Sequence, residues 1–119
     1  ISIGLVGSEM CIRDSLNSLH GLRKQLEEDL GREDLGFVIG RLSDSGFYRR
    51  RDKKRVENSD WKGIRDAQEA FANSMERAVW IDTDDLNGEK NELHLIKPGG
   101  HETLGKRYVD AALKLVNGK

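Results

Sequence analysis

The chain has 119 residues, and its 20 Lys and Arg residues nearly balance its 21 Asp and Glu residues, giving a net charge of −1 at pH 7. This balance gives no reason to expect a nucleic acid or an anionic membrane as a partner, and no apolar run approaches the ~20 residues of a membrane span. One cysteine, Cys11, excludes an intrachain disulfide and a thiolate metal cluster. Hydrophobic residues make up 36% of the chain and charged residues 34%. Since a complete domain of this size is usually more apolar, the composition favours part of a larger domain.

The first half of the chain predicts a helix, a buried strand and a long polar loop. Gly31 stands where a helix C-cap glycine belongs, and the apolar run 37–39 is typical of a parallel strand. The loop spans 43–58 and contains a basic run at 49–55, which we interpret as solvated rather than as a nucleic-acid patch. The apolar stripe of the helix recurs in steps of three and four, at Leu16, Leu19, Leu22, Leu26 and Leu30.

The second half predicts a helix, a strand at 78–82, a turn-rich loop and a last helix from Pro98. Ser59 is the expected N-cap of the first of these helices. Its predicted buried face is Trp61, Ile64, Phe71 and Met75, and that of the last helix is Leu104, Tyr108, Ala111 and Leu115. Trp61 and Trp80 are expected to face the sheet. Strands that alternate with helices predict an α/β fold with a parallel sheet covered on both faces.

Most side chains able to carry chemistry follow the predicted strands. In open α/β sheets, ligands bind outside the carboxyl ends of the strands, which places His94 where a general base could act. The alternative is a surface histidine. Asp82 is more readily a brace of its loop than a catalytic group, and no histidine has partners at metal-ligand spacing. Ser45 follows a strand and could be a nucleophile if His94 reached it, but Ser43, Asp44 and Ser45 are better explained as polar residues lining the rim of a cleft.

Four segments in order resemble the C-terminal half of sialate O-acetylesterase-like proteins, which are SGNH hydrolases. They are "FVIGRLSD", "WKGIRDAQEAFA", "VWIDTDDL" and "NELHLIKPGGHETLGKRYVDAAL". The resemblance implies a partial three-layer parallel sheet of the SGNH-hydrolase (flavodoxin-like) type. It also implies that His94 is the catalytic base, because the residues after it match the family's histidine motif: Pro98, Gly99, Leu104, Gly105 and Arg107.

The resemblance leaves the acid partner open and the nucleophile absent. The family often places an aspartate three residues before the histidine, where this chain has Asn91; Glu92 is the alternative acid. The family's serine and oxyanion hole belong to a Gly-Asp-Ser-like block that precedes the region present here. "SDS" at 43–45 imitates that block, but the helices around it match later elements of the family.

The segment Leu5–Asp14 resembles the translation of a transposase adapter used to prepare sequencing libraries, with every codon matching. We therefore assign residues 1–15 to an adapter-derived segment and 16–119 to the C-terminal portion of an SGNH-type esterase domain.

These observations predict a fragment of a carbohydrate-directed O-acetylesterase that supplies the histidine loop and is inactive alone. The expected partners are an acetylated carbohydrate substrate of the parent protein and the missing N-terminal half of its own domain, with no nucleic acid and no membrane. No cofactor and no metal is expected. The alternative, motivated by Asn91, is a non-catalytic carbohydrate- or partner-binding member of the same fold.

Removing residues 1–15 is expected to leave the stability of the chain unchanged, because an adapter-derived segment has no evolved partner in the fold. Thermal unfolding of the 1–119 and 16–119 chains, followed by circular dichroism, measures this. A midpoint that falls by several degrees on trimming would show that the segment belongs to the fold.

Overall fold

The computed structural model describes residues 7–49, 51–52, 54–86 and 99–117. The predicted alternation of helices and strands is confirmed. In chain order the elements are α1 (Gly7–Leu30), β1 (Phe37–Gly40), α2 (Ser59–Ser74), β2 (Ala78–Ile81) and α3 (Gly100–Val116). Two short 3-10 turns, Asp44–Phe47 and Asp84–Leu86, follow the two strands.

The two strands form a parallel pair, in register from Phe37 beside Ala78 to Gly40 beside Ile81. Side chains alternate across a strand, so Phe37 and Gly40 point to opposite faces. Phe37 meets Phe71 of α2 edge to face, with the ring centroids 5.8 Å apart. Gly40 lies against the hydroxyl of Tyr108 on α3, and a Cβ at position 40 would collide with it. The helices α2 and α3 therefore cover opposite faces of the pair, and α1 packs on α2.

The first helix ends as predicted but begins earlier. Gly31 adopts the left-handed conformation (φ 64°), and the amides of Gly31 and Arg32 donate to the carbonyls of Glu28 and Glu27 (3.3 and 3.0 Å). These two bonds form a Schellman motif. The helix extends back to Gly7, into the segment assigned to the adapter. Extending a formed helix adds one hydrogen bond per residue fixed, so it is easier than starting one, and no proline interrupts this stretch.

Two predictions about α2 are wrong. Its N-cap is Asn58 rather than Ser59, because the Asn58 side chain accepts a hydrogen bond from the amide of Trp61 (3.1 Å). Ile64 is 36% exposed and lies off the buried row, which consists of Gly63, Ala67 and Phe71 at intervals of four residues. The small side chains on this row let the helix approach its neighbours closely.

The predicted long loop after β1 has local structure. Its 3-10 turn is followed by an isolated antiparallel bridge between Tyr48 and Arg55. The amide of Val56 donates to the carbonyl of Phe47 (2.6 Å), and that of Arg49 donates to Lys54 (2.9 Å). The described part of the basic run thus belongs to a small hairpin-like excursion.

In α3, Leu115 is buried and Leu104 and Ala111 are half-buried, as predicted. Tyr108 of the same predicted stripe is 37% exposed, because only its hydroxyl end reaches the strand at Gly40. Gly99 precedes the helix in the left-handed conformation (φ 75°), which glycine adopts without the steric cost that a side chain would add.

Phe71→Ala is expected to abolish cooperative unfolding or to destabilise the fold by about 3–5 kcal/mol, the usual cost of truncating a buried phenylalanine. Phe71 is 1% exposed and contacts the rings of both Phe37 and His20. Ile64→Ala on the same helix is the control and should cost under about 1 kcal/mol. Urea denaturation measures both, and equal costs would contradict the position assigned to the core.

Candidate functional site

A cluster of charged and hydroxyl residues lies at the carboxyl ends of the two strands, which we call the carboxyl edge of the sheet. The amide of Arg41, which follows β1, donates to the carbonyl of Ile81 (3.0 Å). The hydroxyl of Thr83, which follows β2, donates back to the carbonyl of Arg41 (2.8 Å) and is buried. The two segments that leave the sheet are thereby held side by side.

Arg41 lies at the centre of this region, with 9% of its surface exposed. Its guanidinium donates to Glu69 of α2 through Nη1, and through Nη2 to Asp82 (3.2 Å) and Asp84 (3.0 Å). The guanidinium also lies over the ring of Trp80, 4.5 Å from its centroid. A buried cation needs such partners, because leaving its charge unpaired away from water is costly.

Arg65 of α2 reaches the same acidic turn from a second direction. It forms a bidentate pair with Asp84 (2.9 and 3.1 Å) and donates to the carbonyl of Leu42 (2.9 Å). Burial disfavours the charge of Arg65, but the hydrogen bonds and the charge of Asp84 outweigh it and raise the pKa of Arg65 above its ordinary value. Asp84 therefore lies between two guanidinium groups.

Arg107 of α3 contacts the turn from the opposite face of the sheet. It is bidentate to Asp85 (2.8 and 2.7 Å) and donates to the carbonyl of Asp82 (2.9 Å). The hydrogen bonds to Asp85 raise the pKa of Arg107. Asp85 and Arg107 are on either side of residues 87–98 in the chain, so this pair brings together the two described segments between which those residues run.

The turn after β1 is closed by hydroxyl and indole hydrogen bonds. The Oγ atoms of Ser43 and Ser45 lie 2.9 Å apart, and both residues are buried. The Nε1 of Trp61 donates to the carbonyl of Ser43 (2.6 Å), and the Trp61 ring occupies the space where a side chain at Gly46 would project.

These contacts correct two predictions. Ser43 and Ser45 are buried and hold a turn together instead of lining the rim of a cleft. Trp61 packs on that turn instead of on the sheet. Trp80 lies in β2, and its ring also supports the guanidinium of Arg41. Ser45 as a nucleophile gains no support, because its hydroxyl is buried and engaged with Ser43.

The three predicted catalytic positions, His94, Glu92 and Asn91, lie outside the described residues. The role of Asp82 as a brace is confirmed: its Oδ1 accepts a hydrogen bond from the amide of Asp84 (2.9 Å). Among the other histidines, His20 packs against Phe71 with the rings tilted by 60° and their centroids 4.9 Å apart, and His101 is exposed on α3.

Sequence reasoning missed Arg41, Arg65 and Glu69, and it named Arg107 only as part of the histidine motif, without its partner Asp85. A signal was present, because Arg41 directly follows one strand and three aspartates follow the other, and the carboxyl ends of parallel strands meet at one edge. Arg65 and Glu69 are four residues apart, which places them on one side of α2.

Within the described ranges, no cluster of His, Cys, Asp and Glu could hold a metal ion, and no helix is long and apolar enough to cross a membrane.

Comparison with known families places this edge in context. The family model described as carbohydrate esterase, sialic acid-specific acetylesterase, matches residues 13–114. The chain belongs to this family of carbohydrate esterases. The match covers all three arginines, the acidic turn and the segment with His94. No curated protein and no solved structure matches the chain.

Arg41→Gln is expected to destabilise the esterase-family chain by about 3 kcal/mol, because it leaves Glu69 without its buried cation and Asp84 with Arg65 as its one remaining arginine partner. The matched control is Arg32→Gln, whose partner Asp34 lies in an exposed pair (62% and 64% exposed), and it should cost under about 1 kcal/mol. Urea unfolding at low ionic strength measures both variants. If the two substitutions lower the free energy of unfolding equally, Arg41 does not stabilise the carboxyl edge as proposed.

Proposed function

We propose that the chain is the C-terminal part of an SGNH-type serine esterase that removes acetyl groups from carbohydrates, with O-acetylated sialic acids as the substrate class. The observation that carries this is the family match over residues 13–114, which includes the predicted histidine motif. The arrangement at the carboxyl edge of the sheet supports it, since ligands of open α/β folds bind at that edge.

In the proposed reaction, a serine supplied by the upstream part of the domain attacks the acetyl carbonyl. His94 accepts the serine proton and donates it to the departing sugar oxygen, which leaves as a hydroxyl. His94 then takes a proton from the water that attacks the acetyl-enzyme. It returns this proton to the serine oxygen as acetate leaves. Glu92 is the proposed group that orients His94 and offsets its charge, while Asn91, at the usual acid position, can orient the ring alone.

The contacts of the acidic turn join the two described segments between which residues 87–98 run. Arg41 and Arg65 fix Asp84, and Arg107 joins Asp85 to α3. A general base must be held within a fraction of an ångström of its proton donor, so a loop that carries one gains from such anchors.

The fragment assignment is part of the proposal. In the described residues the sheet has two strands, each paired on one edge only. An independent parallel sheet of this type needs more strands to pair its open edges. The missing upstream part would supply these strands together with the serine and the oxyanion hole, so the chain alone should be inactive.

A second candidate is a non-catalytic carbohydrate-binding member of the same fold. Asn91 favours it, because asparagine cannot stabilise an imidazolium as a carboxylate does. A Gly-Asp-Ser-like block in the upstream coding sequence would support the enzyme, and its replacement by residues without a nucleophile would support binding.

In the protein extended by its upstream coding sequence, His94→Ala should lower turnover of an O-acetylated sialic acid about a hundredfold or more, the scale of general-base loss. His101→Ala, which removes an exposed helix histidine, is the control and should leave turnover unchanged. Acetate release measures both variants. Near-normal turnover by His94→Ala would rule out the base, and an inactive wild-type protein that still binds the sugar would favour the second candidate.

A further inference from the structure

The hairpin-like excursion after β1 carries an arginine, Arg55, whose guanidinium is held by aromatic rings. Its central carbon lies 4.9 Å from the centroid of the Phe47 ring and 5.6 Å from that of Tyr48. Its Nη1 donates to the Tyr48 hydroxyl (3.4 Å), and the antiparallel bridge between Tyr48 and Arg55 fixes the backbone from which the side chain extends. Although Arg55 is exposed, these contacts give its charge a preferred place.

Phe47 connects this cation to the carboxyl edge of the sheet. The guanidinium of Arg65 also lies over the Phe47 ring, 5.5 Å from its centroid, and Arg65 is paired with Asp84 in the acidic turn. The central guanidinium carbons of Arg55 and Arg65 are therefore at most about 10 Å apart, which is the two ring distances added end to end. Arg55 thus lies beside the edge at which ligands of open α/β folds bind.

The charge of Arg55 has no carboxylate within ion-pair distance among the described residues. The three arginines of the carboxyl edge are committed to its acids, and Arg49 of the same excursion is paired with Asp52 (2.7 Å). Arg51 and Lys54 are exposed and make no side-chain hydrogen bond or ion pair within the described ranges, so nothing there holds their charges in one direction. Arg55 therefore combines a charge available to a ligand with a held position.

The chemistry of this excursion suits a carboxylate ligand. Residues 47–56 contain six cations and a single carboxylate, Asp52, so the excursion carries excess positive charge. A guanidinium presents its N–H donors in a planar fork that matches the two oxygens of a carboxylate, and stacking on rings leaves the rim of that fork open. A sialic acid has a carboxylate, whereas most acetylated sugars are neutral.

We propose that Arg55 binds the carboxylate of a sialic acid and thereby makes the site prefer acidic over neutral acetyl esters. The inference rests on the proposed function, which supplies the substrate class. The carboxylate and the acetyl-bearing hydroxyls of a sialic acid belong to different carbons, so a group that binds the carboxylate has to lie beside the reacting centre. Arg55 meets this requirement, and because the rings already hold its guanidinium, little side-chain freedom is lost on binding.

Steady-state kinetics of acetate release test the proposal in the protein extended by its upstream coding sequence. Arg55→Gln should raise KM for O-acetylated N-acetylneuraminic acid about tenfold, the scale of a hydrogen bond to a charged group. It should leave kcat unchanged, because the lost contact binds the substrate and the transition state alike. Turnover of 4-nitrophenyl acetate, which has no carboxylate, should stay at the wild-type rate. Arg55→Lys keeps the charge and should recover part of the change in KM.

Arg49→Gln is the matched control, because it removes a cation of the same excursion that is already paired with Asp52. It should change the constants of neither substrate. An unchanged KM in Arg55→Gln, or an equal loss of activity on both esters, as a disturbed loop would give, overturns the proposal.

Titration calorimetry with N-acetylneuraminate and its neutral carboxamide separates this proposal from the proposed function, since neither ligand carries an acetyl ester. The wild type should bind the acid about tenfold more tightly than the amide, and Arg55→Gln should bind the two equally. A wild type without turnover that still shows this preference would reject the esterase and support Arg55 as a carboxylate-binding residue. A wild type that binds both ligands alike or neither, or a preference that survives Arg55→Gln, overturns the proposal even if the esterase is active.

Discussion

The guanidinium of Arg41 is the constraint on which the carboxyl edge of this molecule depends. A cation at this depth cannot keep its hydration, and each partner that it lacks would cost free energy. Its partners come from α2 (Glu69) and from the turn after β2 (Asp82 and Asp84), while Arg41 itself follows β1. The side chain of Arg41 thus connects three elements of the fold. Its guanidinium also packs on the face of the Trp80 ring.

The acidic turn is positioned by residues that are distant in sequence. Arg41, Arg65 and Arg107 belong to different elements and reach the turn from both faces of the sheet. Asp84 pairs with Arg41 and Arg65, whereas Asp85 pairs with Arg107 from the other face of the sheet. Because neighbouring residues are held from different directions, the turn is fixed against rotation as well as displacement. These acids serve to fix the backbone that leads into residues 87–98, and their negative charge is compensated by paired cations.

The order of elements and the parallel pair could be predicted from sequence, because periodicity and glycine punctuation are local signals. The C-cap at Gly31 was predicted for the same reason. The exposure of Ile64 and the contacts of Trp61 could not be predicted from sequence. The apolar stripe of a helix shows which residues are apolar, but it does not show which neighbour each residue contacts. The arginine network was missed because each pair joins residues that are 19 or more positions apart and belong to different motifs. His94, Glu92 and Asn91 stay predictions, outside the described residues.

Val109, Leu113 and Val116 of α3 lie on the side of the helix that points away from the two strands. Additional strands extend a parallel sheet sideways, in the plane that Phe37, Gly40 and their neighbours define. More strands would therefore pair the open edges of the sheet without covering these three side chains. The edges of the sheet and the outer face of α3 are thus separate surfaces, which different neighbours would have to cover.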